Sequence, residues 1–277
     1  MSDDPVANLP PLRDVISAAG LDARKSLGQH FLLDLNLTCR IARQVQGREE
    51  GTLIEVGPGP GGLTRALLLE GGKKIVAIER DDRAVELLST LVEAAQGRLE
   101  VVGADALEFD YTSVPAPRRI VSNLPYNVGT PLLIGWLEHI HLFASLTLMF
   151  QKEVAHRIVA APRSPEYGRL SVMAQWRCKT RKLFDLPARA FTPPPKVDSS
   201  VVQLIPHEQP GDVSWDVMEK VVAAAFSHRR KMLRGSLKVL GDAEALLVEV
   251  GIEPTKRAEE LGVDEFVSLA KAYAARQ

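Results

Sequence analysis

The sequence predicts an α/β fold: a Rossmann-like, doubly wound sheet of mainly parallel strands, followed by a small all-helical C-terminal region. Three observations carry that expectation. Short β-rich runs alternate with stretches of helical period from about residue 35 to residue 160. The first run, 52–56, leads into Gly57-Pro58-Gly59-Pro60-Gly61-Gly62 and then Leu63, Leu67 and Leu68 at helical spacing. That is the strand, glycine loop and helix of a first βα unit. Beyond a proline- and glycine-bearing break at 206–211 only helical stripes recur.

In chain order, residues 1–12 read as a loose tail and 12–19 as a short helix closed by Gly20. The run from Arg24 to Leu32 is basic, then polar and aromatic. Asp34 is placed as the N-cap of a helix whose apolar positions are Leu37, Ile41 and Val45. Strands follow at 74–79, ending in Glu79, at 99–102, leading to Asp105, at 118–122, and at 146–150. Helices are expected at 84–94, 131–140 and 152–160, and further strands at 170–176 and 201–205. Val217, Met218, Val221, Val222, Ala225 and Phe226 form a helical stripe, as do Leu246, Leu247 and Val250, and Phe266, Leu269 and Tyr273. The domain border is expected between 1–206 and 207–277. The sequence contains no internal repeat and no low-complexity tract.

The chain has 277 residues, 45% of them hydrophobic and 25% charged, enough for one large domain or a large and a small one. No apolar run approaches the roughly 20 residues of a membrane helix, and the N-terminal residues show no secretory signal, so a cytoplasmic protein is expected. Cys39 and Cys178 stand far apart in no metal-ligand spacing and read as structural thiols in a reducing compartment. Net charge is −1, so bulk charge does not announce a nucleic-acid partner, but the local distribution does. His228, Arg229, Arg230, Lys231, Arg234 and Lys238 form a basic cluster on an expected helical stretch, with Lys231, Arg234 and Lys238 on one face. Arg177, Lys179, Arg181 and Lys182 form a second, and Arg24 with Lys25 a third, while acidic residues gather at 242–265. Such segregation suits contact with phosphates.

The most specific stretch is Asn123-Leu124-Pro125-Tyr126, just after the apolar pair Ile120-Val121. An amide oxygen and a backbone carbonyl there can accept hydrogen bonds from an exocyclic amine, an aromatic ring can stack on a flat heterocycle, and Pro125 stiffens the backbone. Gly57, Gly59 and Gly62 match the dinucleotide-binding spacing and Glu79 lies about 20 residues on, so a nicotinamide-dependent oxidoreductase is a rival reading. Pro58 and Pro60 count against it, because each removes a backbone N–H from the loop that would cradle a pyrophosphate. A cofactor without phosphates, such as S-adenosylmethionine, loses nothing by that. Asp105 can then accept from an adenine amine and Glu79 from ribose hydroxyls.

Gly28-Gln29-His30-Phe31-Leu32, Glu55-Val56-Gly57-Pro58-Gly59-Pro60-Gly61, Asn123-Leu124-Pro125-Tyr126-Asn127 and Phe191-Thr192-Pro193-Pro194-Pro195-Lys196-Val197-Asp198-Ser199 stand in this order. Together they closely resemble the ribosomal RNA adenine dimethyltransferases of the bacterial small-subunit type, over nearly the whole chain. The resemblance implies a class I methyltransferase sheet and transfer of two methyls to N6 of each of two adjacent adenosines near the 3′ end of 16S rRNA. It implies S-adenosylmethionine contacts at His30, Leu32, Gly57, Glu79, Asp105 and Asn123. It implies catalytic roles for Asn123, Leu124, Pro125 and Tyr126, with Phe191 on the opposite face of the adenine. RNA contacts are then expected at Arg229, Arg230, Lys231, Arg234 and Lys238, with the target base flipped out. The expected partner is 16S rRNA in the small ribosomal subunit or its precursor, with no membrane, and a monomer is the default. One departure is Val128-Gly129, where many relatives have Ile-Ser. A resistance-type enzyme acting on large-subunit rRNA, and a ribosome-assembly checkpoint role that binds immature subunits, remain as alternatives.

Overall fold

The computed structural model describes residues 4–18, 30–208, 213–228 and 230–277. The chain divides into two compact units, residues 1–155 with 182–206, and residues 156–181 with 207–277. The strands of the first unit are β1 (Phe31–Leu32), β2 (Thr52–Val56), β3 (Ile75–Glu79), β4 (Leu99–Gly103), β5 (Arg118–Asn123) and β6 (Ser145–Gln151). The later strands are β7 (Cys178–Leu186), β8 (Phe191–Thr192) and β9 (Ser199–Pro206). The main sheet has the order β4-β3-β2-β5-β6-β9-β7. The pairings β3 with β4, β2 with β3, β2 with β5 and β5 with β6 are parallel, and β9 runs antiparallel to β6. This bears out the expected doubly wound class: the order reverses at β2, where the crevice for a ligand opens.

The strands read as apolar runs because both faces are covered. Every residue of β2 and of β3 is buried. On one face Leu53, Ala77, Val121 and Met149 share a core with Ile41, Leu63, Leu67 and Leu91 from the helices. Those helices are α2 (Leu35–Ala42), α3 (Gly62–Leu69) and the pair α4 (Asp82–Leu87) and α5 (Ser89–Ala95). The expected helix at 84–94 is thus two helices, interrupted at Leu88. A short α1 (Leu12–Ala18) precedes them, and α6 (Gly129–Glu138) and α7 (Lys152–Val159) follow β5 and β6. The expected closure of α1 by Gly20 lies outside the described residues.

Asp34 caps α2 as expected, accepting from Asn36 N at 2.8 Å and from Leu37 N at 3.4 Å. Asp34→Ala leaves those N–H groups to water and is expected to cost about 1 kcal/mol of stability, read as a lowered urea midpoint.

The second unit has its own core. Met218, Val221, Val222, Phe266 and Leu269 pack with Tyr167, Val172, Met173 and Trp176. Its helices are α8 (Arg169–Arg177), α9 (Trp215–Ala225), α10 (Leu233–Ser236), α11 (Ala243–Glu249) and α12 (Val263–Ala274). Two expectations are corrected here. Residues 170–176 are helix, not strand: Val172, Met173 and Trp176 are buried together, a helical stripe that no single-faced strand could present. The border after 206 is one crossing, but residues 156–181 also join the C-terminal helices because their apolar side chains fill that core. Strand β7 escaped the pattern, since Lys179-Thr180-Arg181-Lys182 carries charge where a buried strand would be apolar. Both cysteines are free and buried, and burial pushes the Cys178 thiol up to about 12, consistent with inert structural thiols. Among the described residues no helix is long and apolar enough to cross a membrane.

Candidate active site

The parallel register builds the site. Glu55 stands beside Ala77 of β3 and Val121 of β5. Strand side chains alternate, so the residues two positions on, Gly57, Glu79 and Asn123, emerge on that same face at the carboxyl rim. Glu79 is in register with Gly103, and Asp105 lies two residues beyond it. Four strand ends thus converge where open α/β sheets bind ligands. The Ser122 hydroxyl donates to the Val56 carbonyl and ties the end of β5 to that of β2.

The glycine loop is closed to phosphate. Gly57 N donates to Ile78 O at 2.9 Å, Gly59 N to Glu79 Oε2 at 3.0 Å and Gly61 N to Pro58 O at 3.0 Å. Residues 58 and 60 are prolines, so from 57 to 61 no backbone donor is left for a pyrophosphate. Gly59 sits at φ +53°, a conformation that suits glycine, with Phe31 packed where a Cβ would lie. Gly62 allows a close approach of another kind: a Cβ there would stand 2.5 Å from the Leu32 carbonyl oxygen.

Two cavities meet on this rim. A tight one of about 70 Å³ is lined by His30, Leu32, Glu55, Gly57, Asn123 and Tyr126, among others. A roomier one of about 570 Å³ is lined by Arg80, Asp105, Ala106, Leu107 and Asn127, among others. That size suits a small-molecule ligand. Gly57, Glu79 and Pro125 line both. All six expected cofactor residues therefore lie on these walls.

Their bonding is more committed than the sequence suggested. Glu79, 7% exposed, accepts from Gly59 N, from Arg80 N at 2.8 Å and from Asp81 N at 2.9 Å. Its first task is to shape the loops, with little acceptor capacity left for a ligand. Asp105 accepts from Leu107 N at 3.0 Å and pairs with Arg80 Nη1 at 3.0 Å. Asn123 Nδ2 donates to the His30 carbonyl at 3.2 Å. A carbonyl can only accept, so the NH₂ faces it and Asn123 Oδ1 is left as the acceptor.

His30 is held in turn. Its Nδ1 stands 2.8 Å from Pro193 O, so that nitrogen carries the proton. Its ring lies 5.3 Å from that of Tyr126, and the Tyr126 hydroxyl bonds to Ser199 Oγ at 2.7 Å. Burial raises the Tyr126 hydroxyl above its ordinary value, partly offset by Ser199, so the ring stays neutral. Strands β1 and β8 pair antiparallel, Phe31 with Thr192 and Leu32 with Phe191.

That pairing places Phe191. It is 3% exposed, belongs to the apolar core and lines neither cavity. Pairing it with Leu32 turns its ring inward. The departure at Val128-Gly129 has a structural counterpart: Gly129 opens α6, and a Cβ there would lie 3.2 Å from the Phe150 ring.

Of the basic residues, Arg230, Lys231, Arg234 and Lys238 are exposed, and Arg229 lies outside the described residues, as do Arg24 and Lys25. The single helical face is corrected, since α10 begins only at Leu233 and Lys238 sits in a 3₁₀ turn, Leu237–Leu240. In the other cluster Arg177 packs over Trp176 at 4.7 Å, and Lys182 pairs with Asp185 at 3.0 Å.

Sequence reasoning gave Glu55 no role, although it lines the tight cavity and is 1% exposed. A carboxylate among the apolar Leu53, Ile54 and Val56 was the available signal.

A doubly wound sheet with a glycine loop whose backbone donors from 57 to 61 are committed or absent, two rim acids and Asn123-Leu124-Pro125-Tyr126 at the next strand end defines a class I methyltransferase. Comparison with known proteins agrees. The family model "Ribosomal RNA adenine dimethylase" matches residues 20–275. "Ribosomal RNA small subunit methyltransferase A" of Paramagnetospirillum magneticum is 58% identical over 273 residues, 98% of this chain and 97% of that protein. The protein of the same name from Rhodospirillum rubrum is 55% identical over 98% of this chain and 95% of its own. Among solved structures, a dimethyladenosine transferase from Plasmodium falciparum superposes with a TM-score of 0.77 at 28% identity, covering 87% of this chain and 96% of that one. The 23S rRNA methyltransferase ErmE gives 0.67 at 25%, covering 88% and 99%. The chain belongs to the ribosomal RNA adenine dimethylase family. This membership overturns the nicotinamide-dependent reading.

Proposed function

We propose that this protein transfers methyl groups from S-adenosylmethionine to N6 of two adjacent adenosines near the 3′ end of 16S rRNA, in the small ribosomal subunit or its precursor. The observation that carries this reading is the Asn123 amide, turned by the His30 carbonyl so that Oδ1 is the free acceptor beside the cavities. The residues present fit S-adenosylmethionine. From 57 to 61 the loop offers no phosphate donors, and among the described residues lining the tight cavity are two carboxylates but no Lys or Arg, which suits a cationic ligand.

Asp105 and Ala106 would hold the adenine, Glu79 would use its remaining acceptor site for a ribose hydroxyl, and Gly57, His30 and Leu32 would hold the amino-acid end. S-adenosylmethionine, when bound, supplies a methyl already activated on a cationic sulfur. The protein's own contribution is alignment. Asn123 Oδ1 and the Leu124 carbonyl accept from the target N6–H groups and draw the nitrogen lone pair out of ring conjugation. Tyr126 stacks on the extruded base, and Pro125 keeps the two acceptors in place. No group of the tetrad is a strong base; the proton leaves once the nitrogen carries the methyl. After one transfer a single N–H remains, which Asn123 Oδ1 can hold for the second.

Arg229, Arg230, Lys231, Arg234 and Lys238 would contact phosphates, an arrangement that reads shape rather than sequence. The protein would act in the cytoplasm, as a monomer, during subunit biogenesis. The relatives at 55–58% identity are small-subunit enzymes by name, against 25% for the 23S enzyme, which favours this substrate over the resistance-type one.

Incubation with labelled S-adenosylmethionine and undermethylated small subunits, followed by mapping of modified nucleotides, tests the reading. Label is expected on two adjacent adenosines near the 3′ end of 16S rRNA. Label only on naked large-subunit rRNA overturns it.

A further inference from the structure

Glu55 is the fourth residue of β2, 1% exposed, on the wall of the tight cavity. Its Oε2 has no hydrogen-bond partner among the described residues, and neither has the Thr64 hydroxyl of α3. Buried polar atoms are nearly always paired, so an unpaired carboxyl oxygen on a cavity wall is open to a partner the protein does not supply. The groups that face it are few. Glu79 of β3 adds negative charge, Thr64 is a weak neighbour that favours the anion, and His30 lines the same cavity beside β1. No Lys or Arg among the described residues lines that cavity. Burial, with the Glu79 charge adding to it, pushes the Glu55 carboxyl up to about 8, so it holds its proton near neutral pH.

We propose that Glu55 is a proton-releasing counter-ion for the methyl donor, so that the cationic donor displaces the Glu55 proton on entry and the cavity prefers it to the demethylated thioether. The proposal rests on the donor reading given above. The exchange is balanced: Glu55 passes from carboxylic acid to carboxylate, the proton goes to buffer, and no ligand bond is broken. The donor carries a sulfonium and an ammonium, whereas the thioether keeps only the ammonium. Once the methyl has left, the anion has lost part of its partner and Glu55 takes a proton back from solvent.

By linkage, a ligand that favours the anion binds more tightly as pH rises toward the free-state value, by up to about tenfold per pH unit, and the gain flattens above about 8.

Isothermal titration of the intact protein with S-adenosylmethionine near pH 7, in buffers of different ionisation enthalpy, reads the released protons directly. Between about half and one proton is expected for the donor and fewer for S-adenosylhomocysteine. Glu55→Gln keeps the shape of the protonated form. It is expected to abolish the buffer dependence and to reduce the donor-over-thioether preference about tenfold. Normal donor binding with heat independent of buffer overturns the proposal, and the wild-type titration suffices to show it if the variant does not fold. Absence of any donor binding would instead overturn the reading of the cavity itself.

Discussion

Asn123→Ala is expected to lower methyl transfer by about 10²- to 10³-fold while leaving RNA binding within a few-fold of the parent. The change removes Oδ1, the acceptor proposed for the target amine, and frees the His30 carbonyl that had turned it. Asn123→Asp separates the two effects. A carboxylate keeps acceptors toward the amine, but it cannot donate to the His30 carbonyl 3.2 Å away, so two oxygens would face each other. Single-turnover transfer from labelled S-adenosylmethionine, measured beside RNA affinity, gives the answer. A parent-like rate for Asn123→Ala would show that the amide is structural only.

Glu79→Ala is expected to cut donor affinity by more than about 100-fold and to destabilise the protein by about 3 kcal/mol or more. Three backbone N–H groups, of Gly59, Arg80 and Asp81, would lose their common acceptor in a site that is 7% exposed. Each unpaired buried donor costs roughly 1–3 kcal/mol, and only part of the loss is relieved if water enters. Glu79→Gln rescues in part, because its single oxygen can serve Arg80 and Asp81 while its amide NH₂ then opposes Gly59 N. Calorimetric titration with S-adenosylmethionine and thermal unfolding measure both effects. A stable Glu79→Ala protein with weak donor binding would mean that the carboxylate serves the ligand and not the loops.

The glycine loop, the rim acids and the Asn123–Tyr126 stretch were legible because each signal is local. Glycine and proline restrict the backbone at their own positions, and strand runs declare themselves by period. The same holds for the Asp34 cap, which depends on groups two and three residues away. Residues 170–176 misled for the opposite reason: their short apolar run suits either a strand or a helix, and only the neighbours in the core decide.

What no local pattern carries is pairing at long range. The β1–β8 ladder joins Phe31 to Thr192, turns Phe191 inward and sets Pro193 beside His30. His30 in turn aims Asn123, a bond between residues 93 positions apart. Nor can a sequence state the ionisation of Glu55, which depends on how much water the completed sheet leaves around it. By itself, then, the sequence determined the parallel sheet, the gathering of the candidate residues at its rim and the family. The tertiary structure alone decided which atoms are free there, because hydrogen-bond commitment and desolvation exist only once distant strands have closed around the same few side chains.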